Sequence, residues 1–287
     1  VTRAAPVRKP AWVLPVSPGP GAGDPVRRTL RALGLATVCE SARCPNRGEC
    51  FGAGTATFLI LGERCTRRCG FCAVAKGAPA PPDPAEPQAV AAAVRRLGLG
   101  YAVVTSVTRD DLPDGGAGQF AATIRAIREA APGVPVEVLV PDFAGAAGAL
   151  ETVLAAGPAV LNHNLETVPR LYPRVRPAAE YGRSLALLRG AVAAAPGIPA
   201  KSGLMVGLGE QFDEVVGVMR DLAAAGVSAL TVGQYLQPTL ASLPVERYWH
   251  PEEFAALAAA GRAAGIARVS AGPLVRSSYR ARELQAG

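Results

Sequence analysis

The stretch TFLILGERCTRRCGFC (57–72) opens as an apolar run of strand length and closes on three cysteines spaced C-x3-C-x2-C. A short run rich in Phe, Leu and Ile predicts a buried strand, so the cysteines belong to the loop leaving its C-terminal end. The same pattern recurs downstream. Apolar runs at 101–107, 136–140, 159–164, 200–208 and 229–235 alternate with helical patterns at 85–97, 118–131, 144–156, 180–195, 211–225 and 252–264. Apolar strands each followed by a helix predict parallel pairing with helices over the sheet. A doubly wound sheet and an incomplete barrel both satisfy this. Polar residues at the run ends (Thr105–Ser106, Asn162–Asn164, Lys201–Ser202 and Gln234) favour the barrel, whose sites form at the strand C-termini. No G-x-G-x-x-G opens a helix after the first strand. The expectation is an α/β chain with a partial (β/α)6 TIM-type barrel over 56–265. It is flanked by an N-terminal extension over 1–55, beginning with a Pro-rich extended arm over 1–25, and a C-terminal extension over 266–287.

Composition narrows the class. The 287 residues are 49% hydrophobic and 18% charged, enough apolar content for a sizeable core. The net charge of +7 suits an acidic partner or an anionic substrate. No Lys/Arg run with interleaved aromatics points to nucleic acid, and no uncharged apolar stretch is long enough for a membrane span. The N-terminal residues lack the apolar region of an export signal, which favours a reducing, cytoplasmic setting where clustered cysteines bind metal.

All six cysteines fall in two sets of three: Cys65, Cys69 and Cys72 in the loop above, and Cys39, Cys44 and Cys50 in CESARCPNRGEC (39–50). Three closely spaced thiolates wrap one face of a [4Fe–4S] cube and leave one iron open. Half a zinc site is the competing reading of the second set, but only His163 and His250 are available and the spacing is not that of a paired zinc knuckle. His163 reads as a satisfied core residue and His250 as a helix-entry residue. For the first set the competing reading is buried structural thiols. Flanking Pro, Asn and Gly argue against it and for a second, auxiliary cluster.

C-x3-C-x2-C after the first strand of a βα-repeat chain resembles the radical S-adenosylmethionine superfamily, in which the open iron binds S-adenosylmethionine. C-x4-C-x5-C upstream of it resembles the lipoyl synthase family. From RKPAW (8–12) onward the blocks TSVTRDDLPDGGA (105–117), NHNLETV (162–168), VRP (175–177), KSGLMVGLGE (201–210), LTVGQYLQP (230–238) and GPLVRSSY (272–279) carry that resemblance in order. It implies two [4Fe–4S] clusters and S-adenosyl-L-methionine as cofactors. It also implies that Ser277, and not its neighbour Ser278, ligates the open iron of the auxiliary cluster. The reaction implied is insertion of two sulfur atoms, drawn from that cluster, at C6 and C8 of a protein-bound octanoyl-lysine. Partners implied are lipoyl carrier domains (2-oxoacid dehydrogenase E2 subunits and the glycine-cleavage H protein), a reducing electron donor and a cluster-assembly carrier.

Strand-end polar residues Thr105, Asn164, Glu166, Arg176 and Lys201 are then candidates to grip S-adenosylmethionine, with the Phe71 backbone near its adenine. For each the plainer reading is a hydrogen bond or ion pair that braces the barrel. Arg109, Asp110 and Asp111 are expected to brace the loop near the site. Thr108, Gln119 and Ser242 depart from the family pattern, none of them expected to touch a ligand. A biotin-synthase-like sulfur insertase, a non-catalytic iron–sulfur protein and a zinc module are the competing functions.

Overall fold

The computed structural model describes residues 8–14, 21, 23–53 and 55–285. Its strands, in chain order, are β1 (Ala36–Thr37), β2 (Thr57–Ile60), β3 (Arg64–Cys65), β4 (Ala75–Lys76), β5 (Ala102–Ser106), β6 (Val136–Leu139), β7 (Val160–Asn162), β8 (Ala200–Val206), β9 (Ala229–Gln234) and β10 (Arg268–Gly272). The α-helices are α1 (Asp24–Ala32), α2 (Val38–Ser41), α3 (Arg47–Gly52), α4 (Glu86–Arg96), α5 (Ala117–Ala130), α6 (Ala149–Ala155), α7 (Tyr172–Val175), α8 (Tyr181–Ala194), α9 (Phe212–Ala224), α10 (Pro251–Ala263) and α11 (Ala281–Gln285).

The main sheet runs β1-β2-β5-β6-β7-β8-β9-β10. From β2 to β10 every neighbouring pair is parallel, and β1 caps the β2 edge antiparallel, with Ala36 opposite Leu59. Six βα units are present, each from an apolar strand and an amphipathic helix, and the two sheet edges do not pair, so the barrel stays open. Phe58, Ile60, Val104, Val138, Leu161, Val206 and Val232 are fully or almost fully buried, which is why these strands read as continuous apolar runs. One apolar core lies under the β2–β7 half and a second under the β8–β10 half.

Three expectations change. The parallel sheet does not end at residue 265: β10 extends it, with Arg268 opposite Ala229 and Gly272 opposite Gly233. RVSAG is short, half-buried and carries no continuous apolar pattern, so it was hidden inside the expected C-terminal extension. Lys201 and Ser202 lie at the start of β8, not at its C-terminal end. The expected arm over 1–25 falls largely outside the described residues. Within it, Ala11–Val13 form a 3-10 turn, the Trp12 indole donates to the Trp249 carbonyl at 3.2 Å, and α1 starts at Asp24. His250 is a helix-entry residue as expected, accepting from the Glu252 backbone as the N-cap of α10.

Candidate active site

The loop after β2 is fixed at several points before it reaches its cysteines. Its turn passes through Leu61 in the left-handed region (φ 67), whose N–H is received by the Glu86 carboxylate at 2.9 and 3.1 Å. Cys65 sits in β3, paired parallel with β4, so entry and exit of the loop are zipped together. Gly70 N–H donates to the Val175 carbonyl and its own carbonyl accepts from Leu243, each at 2.9 Å. Arg67, almost fully buried, donates to Asp110 at 2.7 and 2.8 Å and to Asp142 at 2.6 Å; Arg183 reaches the other Asp142 oxygen at 2.9 Å. Arg109 clamps Asp111 and the Leu61 carbonyl. The expected bracing by the Arg-Asp-Asp run is therefore present, and Arg67 is its partner from inside the cysteine loop. Thr108 does touch a candidate ligand: its backbone N–H lies 3.4 Å from Cys65 Sγ.

Cys39 lies on α2, Cys50 on α3 and Cys44 between them. Thr37 caps α2 by accepting from Glu40, and Cys44 N–H returns to the Cys39 carbonyl at 3.0 Å, which folds the triad into one compact turn. Burial, reinforced by the neighbouring thiols, pushes Cys39 up to about 12 and Cys50 to about 11. Burial likewise raises Cys69 to about 11, opposed by the nearby Arg176 cation, and raises Cys72 against the pull of Lys76. Thiols held this far from ionisation are unreactive alone and become thiolates when a metal replaces their protons.

The C-terminal segment closes over the first triad. Asn46 donates to the Leu274 carbonyl at 2.6 Å, Tyr279 donates to Glu49 at 2.9 Å, and Arg280 pairs with Glu49 at 3.5 Å. Two strand glycines make room for it. A Cβ on Gly233 would collide with the Val275 carbonyl, and one on Gly203 would lie 2.6 Å from Asn164 Oδ1 and 2.8 Å from Ser277 Oγ. Ser277 is thereby brought against Asn164, which donates to its Oγ at 2.7 Å and accepts from it at 2.9 Å.

One cavity of about 610 Å³ at this end of the barrel is lined by Cys39, Cys44, Cys65, Cys69, Cys72 and Ser277 together. Cys50 stands behind that wall, within electrostatic reach of Cys44 and Cys39. Phe71, Thr105, Asn164, Glu166 and Arg176 also line it. Thr105 donates to the Leu139 carbonyl at 2.9 Å. Glu166, in the left-handed region (φ 68), bridges to Leu204; burial raises its carboxyl, opposed by Arg176, by the Asn164 amide and by Arg276. Arg176 spends one guanidinium nitrogen on the Asn164 and Leu165 carbonyls and the Tyr172 hydroxyl, while its buried Nε has no partner. An unspent donor on the cavity wall suits a bound anionic group such as a carboxylate.

Lys201 does not join them. It is buried against Glu137 at 2.8 Å, in a network that includes Asn162 and the Tyr101 hydroxyl, and is absent from the cavity wall. The plainer reading, a brace inside the barrel, holds for this residue. His163 is likewise satisfied, Nδ1 with the Val140 carbonyl at 2.8 Å and Nε2 with Ser184 at 2.9 Å. Sequence reasoning passed over Arg276, which lines the cavity with its charge facing Cys44 and Glu166. Its place in the Arg-Ser-Ser-Tyr motif was the available signal.

The donor set fits cubane clusters. Among the described residues no three His, Cys, Asp or Glu side chains converge on a point suited to one metal ion. Thiolates of a cube sit on separate irons and stand farther apart than the ligands of a single zinc.

Comparison with known proteins agrees with this geometry. The Radical SAM superfamily pattern matches residues 59–222, from β2 into α9. The lipoyl synthase of Rubrobacter xylanophilus is 57% identical over 276 residues, spanning 96% of this chain and 86% of that protein. That of Methylococcus capsulatus is 55% identical over 285 residues, spanning 98% and 88%. Among solved structures, methylornithine synthase superposes with a TM-score of 0.53 at 15% identity over 91% of this chain and 88% of that one. HydG, a maturase of the [FeFe]-hydrogenase, gives 0.55 at 15% identity over 91% and 74%. At such identities the structures share only the fold, a radical S-adenosylmethionine barrel, and this chain is a member of that superfamily. Within it, the chain belongs to the lipoyl synthase family, enzymes that transfer sulfur.

Proposed function

We propose that the chain inserts sulfur at C6 and C8 of an octanoyl group attached to a lysine of a lipoyl carrier domain. The observation that carries this reading is that one cavity is lined by Cys65, Cys69 and Cys72, by Cys39 and Cys44 of the first triad, and by Ser277. Cys65, Cys69 and Cys72 would hold the cluster that binds S-adenosylmethionine; Cys39, Cys44, Cys50 and Ser277 would hold the auxiliary cluster. When bound, these groups supply hydrogen abstraction from unactivated carbon and the sulfur that replaces it, chemistry that no side chain here provides.

The chain's own residues orient and exclude. Arg176, with its unspent Nε, and Glu166, held by Asn164, face the cavity where the charged ends of S-adenosylmethionine would bind. Thr105 and the Phe71 backbone would complete that wall. Val38, Leu59, Val74, Leu139, Leu204 and Leu236 give the cavity the apolar lining an eight-carbon chain requires, and keep water from it. Glu166 is the one carboxylate on a wall that also carries Lys9, Arg43 and Lys76, which suits an acidic carrier domain docked over the opening. All six cysteines are free thiols, as a reducing compartment such as the cytoplasm would keep them.

The test is anaerobic reconstitution with iron and sulfide, then incubation of the reduced protein with S-adenosylmethionine and an octanoyl-lysine peptide. Mass spectrometry should show gain of two sulfurs with release of 5′-deoxyadenosine. Turnover of free dethiobiotin alone would mean a biotin-synthase-like insertase, and absence of 5′-deoxyadenosine a non-catalytic iron–sulfur protein.

A further inference from the structure

We infer that Asn164 positions the Ser277 hydroxyl for the first cysteine triad and couples that hydroxyl to Glu166 and Arg176. The inference rests on the reading that Ser277 completes the auxiliary site. Among the described residues, Asn164 supplies both hydrogen bonds that Ser277 Oγ makes, one from Nδ2 at 2.7 Å and one to Oδ1 at 2.9 Å. A hydroxyl has one proton and two lone pairs. The amide takes the proton and one lone pair, so a single lone pair is left, in a direction the amide dictates.

Asn164 is itself well fixed. It is 8% exposed, its carbonyl accepts from Arg176 at 3.0 Å, and its Nδ2 also donates to Glu166 Oε1 at 3.0 Å. Gly203 lies opposite with no Cβ to separate amide from hydroxyl. Arg176, Asn164, Glu166 and Ser277 thus form one continuous chain of contacts. Arg276, beside Ser277 in sequence, donates to the Val275 carbonyl at 2.6 Å and lies within electrostatic reach of Glu166 and Cys44. A ligand that draws on Glu166 acts on the side-chain amide that holds Ser277, one that draws on Arg176 acts on the Asn164 backbone carbonyl, and the coupling runs equally in reverse.

Two measurements test this, neither of them turnover. First, the auxiliary cluster is isolated in the full chain by replacing Cys65, Cys69 and Cys72 with alanine, and its Mössbauer and EPR spectra are recorded. Ser277→Ala should alter the signature of the unique iron. Asn164→Ala should alter it in the same sense, and the double variant should add nothing further. Gly203→Ala, which keeps the amide but forces it and the hydroxyl apart, should reproduce the change if Asn164→Ala does not fold. Second, S-adenosylmethionine affinity is measured by calorimetry in the reconstituted enzyme. Ser277→Ala should shift it by about threefold or more with Asn164 present and not in the Asn164→Ala background, the signature of a coupled pair.

Spectra unchanged in Ser277→Ala would overturn the ligand reading and this inference with it. A change in Ser277→Ala with none in Asn164→Ala or Gly203→Ala would overturn the positioning role alone. Additive effects on affinity would overturn the coupling.

Discussion

Lys201 and His163 show how a single buried polar residue can be tested apart from the chemistry. Lys201 and Glu137 are each 1% exposed and paired at 2.8 Å, so removing either strands a charge in the barrel. Lys201→Ala should cost about 3–5 kcal/mol, the usual penalty for breaking a buried pair, in a denaturant titration. S-adenosylmethionine affinity of the folded fraction should not change, because the side chain does not reach the cavity. Burial, with Arg176 adding to it, lowers His163 from 6.5 to about 4. The unfolded imidazole therefore takes its proton before the folded one does. Stability from this group is full above pH 6.5 and drains away as pH falls toward 4, by about 3 kcal/mol in total. Replacing His163 with Gln should flatten that part of the stability–pH curve. Asp142 works at lower pH: burial would raise its carboxyl, but Arg67 and Arg183 overcome this and hold it well below the usual range. Lys201 was misplaced from sequence because its polar side chain was taken as a mark of the strand's C-terminal end, although the run 200–208 begins beside it. Only the sheet register, Asn162 opposite Lys201, shows that the lysine begins its strand. The six cysteines were legible because nothing else explains their spacing. Arg67 was not, because an arginine earns its meaning here from Asp142, seventy-five residues away.

Of the six expected helices, α4, α5, α8, α9 and α10 stand within one residue of their expected bounds, since amphipathic period reports local burial, whereas α6 begins five residues late, at Ala149. β10 escaped because its residues are half-buried and its pairing with β9 is a tertiary fact. The glycines of β8 and β9 were visible only as letters within apolar runs; their purpose depends on what lies across them. Gly233→Ala sets a methyl against the Val275 carbonyl and should push the Arg-Ser-Ser-Tyr segment outward. A displacement of about 1 Å at a reacting centre commonly costs about a hundredfold in rate. Sulfur insertion should therefore fall steeply while cleavage of S-adenosylmethionine persists, a split readable by measuring lipoyl product and 5′-deoxyadenosine in the same reaction.

Across the whole molecule, five of the six free thiols line one cavity and Cys50 stands just behind its wall. Full reconstitution should load about eight iron per chain, as two [4Fe–4S] clusters require; one or two zinc in their place would exclude this reading. Because Cys39 and Cys50 lie so far above neutrality, loading should release protons, and mild acid should favour loss of the auxiliary cluster. No helix among the described residues is long and apolar enough to cross a membrane.

The clasp between Glu49 and Tyr279 joins residues 230 positions apart. The loop of Cys65, Cys69 and Cys72 takes its downstream contacts from Asp142, Val175 and Leu243, all of them made before β10. The triad of Cys39, Cys44 and Cys50 must wait, because Leu274, Ser277 and Tyr279 leave the ribosome after every strand of the sheet. A chain interrupted past β9 would hold the Cys65 loop in place and leave the first triad without its clasp. Placing the clasp so late makes a finished chain the condition for a finished site.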